Sequence, residues 1–180
     1  MRQTVEQANL QRINWDFTDE RTNELTHNFH PYPAKFIPQI PREMIANLSD
    51  SGDVILDPFV GSGTTLVEAV LQSRQAIGVD INPLAALISK VKATPLSDAQ
   101  LAQIPAVVAE IRADVDALYG QASLFGRRGT RADYPIPDFP KLRFWFKDCV
   151  IQEAAIIKYY IMNDLEDEDV KDFLKIAFSK

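Results

Sequence analysis

The stretch DVILDPFVGSGTTLVEAVLQSRQAIGVDINP, from Asp53 to Pro83, limits the folds open to this chain more than any other part of it. Val54–Leu56 is short and wholly apolar, the pattern of a parallel strand buried on both faces. A loop holding Gly61 and Gly63 follows. Thr64–Gln72 then puts Leu66, Val67, Val70 and Leu71 on the buried side of a helix, and Ala76–Ile81 reads as a second strand. Strand, helix and strand in this length make a βαβ unit, which implies a parallel sheet with a right-handed crossover.

The loop narrows the ligand. Gly61 and Gly63 remove side chains where the backbone must turn tightly and approach a bound group. Because the loop opens a helix, free N–H groups there favour an anion. A phosphate loop needs Gly-Lys-Ser/Thr, but Gly63 is followed by Thr64 and Thr65, so nucleotide hydrolysis is disfavoured. A dinucleotide fingerprint wants a third glycine where Leu66 stands, which weakens the case for NAD. The second strand leads to Asp80, 17 residues beyond Gly63, and a carboxylate there can accept both hydroxyls of a ribose. A ribose held without a phosphate clamp suits S-adenosyl-L-methionine. Asp57, ending the first strand, is placed to reach the ligand's ammonium group or a water beside it.

Three regions are expected: a polar lead-in at 1–29, a cofactor-binding βαβ core at 30–95, and a helical region at 96–180 with an irregular excursion near 120–142. HPYPAKFIPQIP (30–41) carries four prolines and should be extended and stiff. Met44, Ile45 and Leu48 have helical spacing, and Pro83 suits the first turn of a helix over Leu84–Lys92. Ala99–Tyr119 reads as a long amphipathic helix that Pro105 kinks or restarts. Arg143–Phe146 is a weak strand candidate, and helices are expected at Ile151–Ile161 and Asp169–Phe178. The last carries an apolar stripe of Val170, Phe173, Leu174, Ala177 and Phe178, with the acidic run Glu166–Asp169 complementing its N-terminus.

Composition excludes several classes. No apolar run approaches a membrane span, and the polar N-terminus lacks a signal-peptide core. One cysteine permits no internal disulfide, which fits a reducing cytoplasm. Cys149 follows Asp148 and reads as a packing residue. The two histidines, His27 and His30, are too few for a metal site, and none is expected. A net charge of −6 argues against an independent DNA-gripping module. The one basic neighbourhood (Arg127, Arg128, Arg131, Lys141, Arg143, Lys147), interleaved with aromatics around Trp145, reads as a solvated linker with a buried aromatic patch, with DNA phosphate contact as the alternative.

DPFVGSGTTLVEA followed by GVDINPLA, with HPYPAKFIPQIPREMI upstream, resembles the amino-group DNA methyltransferases, which methylate cytosine N4 or adenine N6 at specific sites. The resemblance covers roughly residues 27–92 and becomes vague beyond 95. It implies a Rossmann-like α/β fold and S-adenosyl-L-methionine as cofactor. It assigns Asp57, Phe59, Gly61, Gly63 and Thr64 to the cofactor loop, Asp80 to the ribose and Asn82 with Pro83 to the turn near the adenine. His30, Pro33, Lys35 and Phe36 match the upstream segment beside the methionine end, with Lys35 a partner for the carboxylate.

The family's transfer motif, Ser/Asn/Asp-Pro-Pro-aromatic, orients a flipped base in a dry pocket. Among 11 prolines the sequence holds no Pro-Pro pair. No catalytic residue is therefore assigned. The expectation is a fragment or split subunit with an incomplete sheet and exposed apolar surface, whose catalytic and target-recognition regions lie on a second chain or in a missing C-terminal half. Such a chain would meet DNA only through the complete enzyme. Two rivals stand beside it: an RNA or small-molecule methyltransferase of the same fold, and a non-catalytic interaction fragment.

Overall fold

A computed structural model of the chain describes residues 10–33, 35–120 and 134–180. It divides into two compact units, residues 1–95 with Lys180, and residues 96–179.

In the first unit a 3-10 turn, Leu25–Asn28, precedes helix α1, Gln39–Leu48. Pro41 is the third residue of α1, where a backbone N–H would have no helical partner in any case, so α1 starts earlier than its apolar spacing predicts. Strand β1, Val54–Asp57, helix α2, Thr64–Leu71, and strand β2, Gln75–Gly78, follow, and then helix α3, Pro83–Ala93. β1 and β2 pair in parallel, with Val54 opposite Gln75 and Asp57 opposite Gly78. The mixed α/β architecture and its βαβ unit are as the sequence implies.

Burial is not as expected. Val54 and Leu56 are exposed, and Ile55 between them is only half-buried. Val70 and Leu71 are also exposed, while Leu66, Val67, Glu68 and Ala69 are buried. The reason is geometric. Among the described residues the sheet has two strands, so α2 covers one face and the alternate side chains of β1 meet no second layer.

Among the residues that α2 buries is a charge. Glu68 is 1% exposed. Its carboxylate accepts from His27 Nε2 at 2.8 Å and from Arg42 Nε and Nη2 at 2.9 and 3.1 Å. Burial pushes the carboxyl up, but the hydrogen bonds from His27 and Arg42 outweigh it and hold Glu68 below its ordinary value. The same bond raises Arg42. The ionised carboxylate requires that His27 Nε2 carry the proton. Gln39 Nε2 donates to the Arg21 carbonyl at 2.8 Å, and Arg74 ties the α2–β2 turn to Ser49 at the end of α1.

The second unit is helical: α4, Asp98–Leu101, α5, Gln103–Tyr119, α6, Leu142–Trp145, α7, Asp148–Asn163, and α8, Glu168–Phe178. A capping box between Ser97 and Gln100 starts α4. Pro105 explains the break at Ala102, because its ring would strike the Leu101 carbonyl and it has no N–H to give that oxygen. Arg143–Phe146 is not a strand; Leu142–Trp145 closes a single helical turn, with Phe144 N–H donating to the Lys141 carbonyl at 2.9 Å. The core is Ile161, Leu165, Val170 and Leu174, packed by Ile104, Val107, Ile157 and Phe173. The α8 stripe is only partly as read from spacing: Ala177 and Phe178 are exposed, and Ile176 is buried in their stead. Asp167 caps α8 through the N–H groups of Val170 and Asp169; the Val170 N–H first, then the Gln100 side chain and the Asp169 N–H, hold its carboxyl below the ordinary range.

Replacing Glu68 with Gln should cost about 1.5–3 kcal/mol, the scale for losing hydrogen bonds to a buried charged group whose cationic partner, Arg42, is itself partly exposed. Because Glu68 is held low, its contribution is complete above the unfolded value of about 4.3 and is lost as pH falls through the lower folded value. Urea denaturation from pH 7 down to pH 3 should show a steep acid loss in the native chain and a shallower one in E68Q.

Candidate cofactor-binding site

The site is built where β1 and β2 end. Asp57 closes β1, and its Oδ1 accepts the Phe59 N–H at 3.0 Å, bending the chain into the loop. The Val79 N–H donates to the Asp57 carbonyl and the Val60 N–H to the Val79 carbonyl, both at 2.9 Å, so the loop stays stitched to the second strand after the ladder ends. Asp80 then locks it. One oxygen accepts the Gly61 N–H at 2.9 Å and the other the Asn82 N–H at 2.8 Å. Each carboxylate oxygen keeps a lone pair, so Asp80 can still receive two hydroxyls. Asn82 caps α3 through the Leu84 N–H at 3.0 Å.

Two glycines have separate reasons. Gly63 has φ +80°, and a Cβ there would lie 2.7 Å from both Cα and Cβ of Ser89 on α3. Close contact of α2 with α3 therefore depends on it. Gly61, at φ +49°, faces Tyr32, whose ring edge would lie 3.4 Å from a Cβ. That places the upstream segment against the loop, as the paired motifs imply. The N–H groups of Gly61 and Gly63 are already used, the latter by the Val60 carbonyl at 2.8 Å. The donors left for a ligand are those of the first turn of α2, Thr64 to Leu66.

The other residues singled out are spread around this loop. Phe59 is 87% exposed and Phe36 is also exposed, the latter lining an apolar groove of about 280 Å³ with Ile40, Met44 and Ile55. Thr64 is buried. Lys35 Nζ donates to the His27 carbonyl at 3.0 Å and keeps two donor protons. His30 is buried and its Nδ1 lies 2.7 Å from the Pro31 carbonyl. Pro33 is exposed in the turn beyond it. No group of three metal-ligating side chains occurs among the described residues.

Sequence reasoning passed over Tyr32, Ser62 and Lys92. Ser62 Oγ and Lys92 Nζ are buried and have no hydrogen-bond partner among the described residues. Burial, and then the charge of Lys35, push Lys92 down to about 8. Its side chain is buried on a helix beside Ala85, Ile88, Ser89 and Val91, and only its position there could have betrayed it. Two readings from the second unit need correcting. Cys149 is exposed rather than packed, because it lies in the first turn of α7 on the outer side. Phe144, Trp145 and Phe146 form an exposed patch, not a buried one, since a single helical turn has no second face to bury. Arg143 pairs with Asp148 at 3.0 Å, while Arg127, Arg128 and Arg131 lie outside the described residues.

A family model described as DNA methylase matches residues 2–90, the part that carries the loop, Asp80 and the upstream segment. The chain belongs to the amino-group DNA methyltransferase family. Among curated relatives, the type II methyltransferase M.MvaI of Kocuria varians is 35% identical over 91% of this chain, and the alignment covers 35% of that protein. M.MjaII of Methanocaldococcus jannaschii is 41% identical over 45% of the chain and 16% of its own length. The DNA adenine methyltransferase YhdJ of Escherichia coli is 35% identical over 38% of the chain and 22% of its own length. The chain thus spans about a third of M.MvaI, and less of the others. No solved structure gives a significant match. No helix among the described residues is long and apolar enough to cross a membrane.

Gly63→Ala should lower stability by about 1–3 kcal/mol, through the disfavoured φ and the clash with Ser89. Urea denaturation measures it, and Gly52→Ala, also at positive φ but with open space around it, is the control. Lys92 gives a pH signature. Below about pH 8 it is charged in both states and the burial cost is carried in full. Stability should therefore rise as pH climbs from about 8 toward the ordinary lysine value of about 10.4. Lys92→Met should remove that slope.

Proposed function

We propose that this chain is the S-adenosyl-L-methionine-binding part of a site-specific DNA methyltransferase that modifies an exocyclic amino group, cytosine N4 or adenine N6. The observation that carries the reading is the lock between Asp80 and the Gly61 N–H at 2.9 Å, which fixes a ribose-binding carboxylate across a phosphate-free glycine loop. The donor set fits the cofactor group by group. Asp80 offers acceptors to the ribose hydroxyls and Asn82 lies on the adenine side. Asp57, with one oxygen unused by Phe59, suits the ammonium. Lys35 suits the carboxylate, and the exposed rings of Phe36 and Phe59 offer apolar cover. Thr64 and the residues after it supply free N–H groups at the positive end of α2.

S-adenosyl-L-methionine, when bound, supplies an electrophilic methyl carbon. The chain's own residues bind and orient; nothing among them matches the group that would hold a target amino nitrogen. That task falls to a Ser/Asn/Asp-Pro-Pro-aromatic segment in a further part of the protein or in a second chain, which would also carry target recognition. Supporting this division, the curated relatives are methyltransferases much longer than the matched region. On this reading the chain meets DNA only within the complete enzyme, in the cytoplasm.

Isothermal titration of the chain with S-adenosyl-L-methionine should give a saturable heat. Asp80→Ala should weaken binding at least about 10-fold, the loss expected for charge-assisted bonds to two hydroxyls. Unchanged affinity in D80A would show that the ribose lies elsewhere.

A further inference from the structure

Lys92 is the least explained group of the first unit. It lies in the last turn of α3, is 4% exposed, and its Nζ has no hydrogen-bond partner among the described residues. An unpaired buried ammonium is costly, and proteins keep one where a counter-charge arrives or where its chemistry is used. A second cation aggravates the cost, since Lys35 acts on Lys92 through its charge. Both lysines are moored to the same 3-10 turn. Thr26 Oγ1 donates to the Lys92 carbonyl at 3.0 Å, and Lys35 Nζ donates to the His27 carbonyl at 3.0 Å. The turn itself is fixed by the bond of His27 to Glu68 on α2. That glutamate does not neutralise Lys92, because its oxygens are occupied by His27 and Arg42.

The surroundings connect this pair to the glycine loop. Ser89, one helical turn before Lys92, is the residue that Gly63 lies against. Long helical side chains lean toward the helix N-terminus, so Lys92 leans toward the Ser89 level. Tyr32, between His27 and Lys35 in sequence, lies against Gly61. Ser62, in the same loop, holds a second buried and unpartnered polar atom.

We propose that Lys92 is a second cationic partner for the carboxylate of S-adenosyl-L-methionine, acting with Lys35, so that the bound cofactor supplies the counter-charge the free chain lacks. This inference rests on the cofactor reading above and adds a residue outside the matched motifs. It makes Lys92 a binding residue whose presence destabilises the free chain.

The test uses the full chain, with Lys92→Met and, as a second variant that keeps polarity, Lys92→Gln. Both are titrated with S-adenosyl-L-methionine and with its decarboxylated analogue, which lacks the carboxylate alone. The expected result is a loss of about 10-fold or more for S-adenosyl-L-methionine in both variants, the usual scale for a bond to a charged group, and under about threefold for the analogue. The melting temperature of the unliganded K92M chain should rise, because an uncompensated buried ammonium is removed; a fall would show that Lys92 already has a partner in the free chain and would overturn the assignment. Equal losses for both ligands, or wild-type affinity in both variants, would overturn the assignment while leaving the cofactor reading intact. Absence of binding by the wild-type chain would overturn both.

Discussion

Glu68 sits in the second turn of α2, and its buried carboxylate takes hydrogen bonds from two elements that precede it in the chain. His27 reaches it from the 3-10 turn and Arg42 from α1. Without that anion the two donors would have no reason to converge on an apolar helix face, and the upstream segment would have no fixed position. With it, Tyr32 is brought to Gly61 and Lys35 to the His27 carbonyl. The glycine loop depends on local bonds from Asp57 and Asp80, but its enclosure by the upstream segment depends on a charge cluster one helical turn behind it. A buried ion pair is weak evidence for net stability and better evidence for a specified arrangement, and specification is the role it plays in this unit.

The loop and the helices behind it divide the work of recognition. Asp80 spends one lone pair on each of two backbone donors, which fixes its plane before any ligand arrives. Such prior ordering lowers the cost of binding, because the carboxylate does not have to be immobilised at the moment of contact. Gly63 works through packing. By admitting Ser89 it lets α2 and α3 approach closely, and so sets the distance between the loop and the last turn of α3.

Much of this was legible in residue order. The apolar run at Val54, the two glycines and Asp80 define a local unit whose partners lie within about thirty residues, and local units obey spacing rules. Pro83 and Asn82 announced α3, and Pro105 announced the break before α5 by the atom it lacks. What spacing could not supply was burial. Val54, Leu56, Val70 and Leu71 look like core and are exposed, because whether an apolar residue is covered depends on a second layer that the residue itself does not encode. The aromatic run at Phe144–Phe146 misled for the same reason, and β-propensity gave way to one turn of helix where no neighbouring strand was there to pair with it. Motif residues were named by type and order, whereas Glu68 and Lys92 were invisible: a charge on a helix reads as a solvated edge until its surroundings are known, and the partners of Glu68 lie 26 and 41 residues away while the Lys92 ammonium has none among the described residues.

The pairing of β1 with β2 has a consequence for how the unit comes together. Val54 meets Gln75 across a crossover of about twenty residues, and the upstream segment joins it through bonds that lie between Arg21 and Lys92. Closing so short a crossover costs little chain entropy, and folding is faster the more local its contacts are. The βαβ unit can therefore form first, with Glu68 already in place on its helix, and the earlier His27 and Arg42 then dock onto a finished surface. The bonds that hold the glycine loop run between Asp57 and Asn82, so the loop takes shape once that stretch has paired.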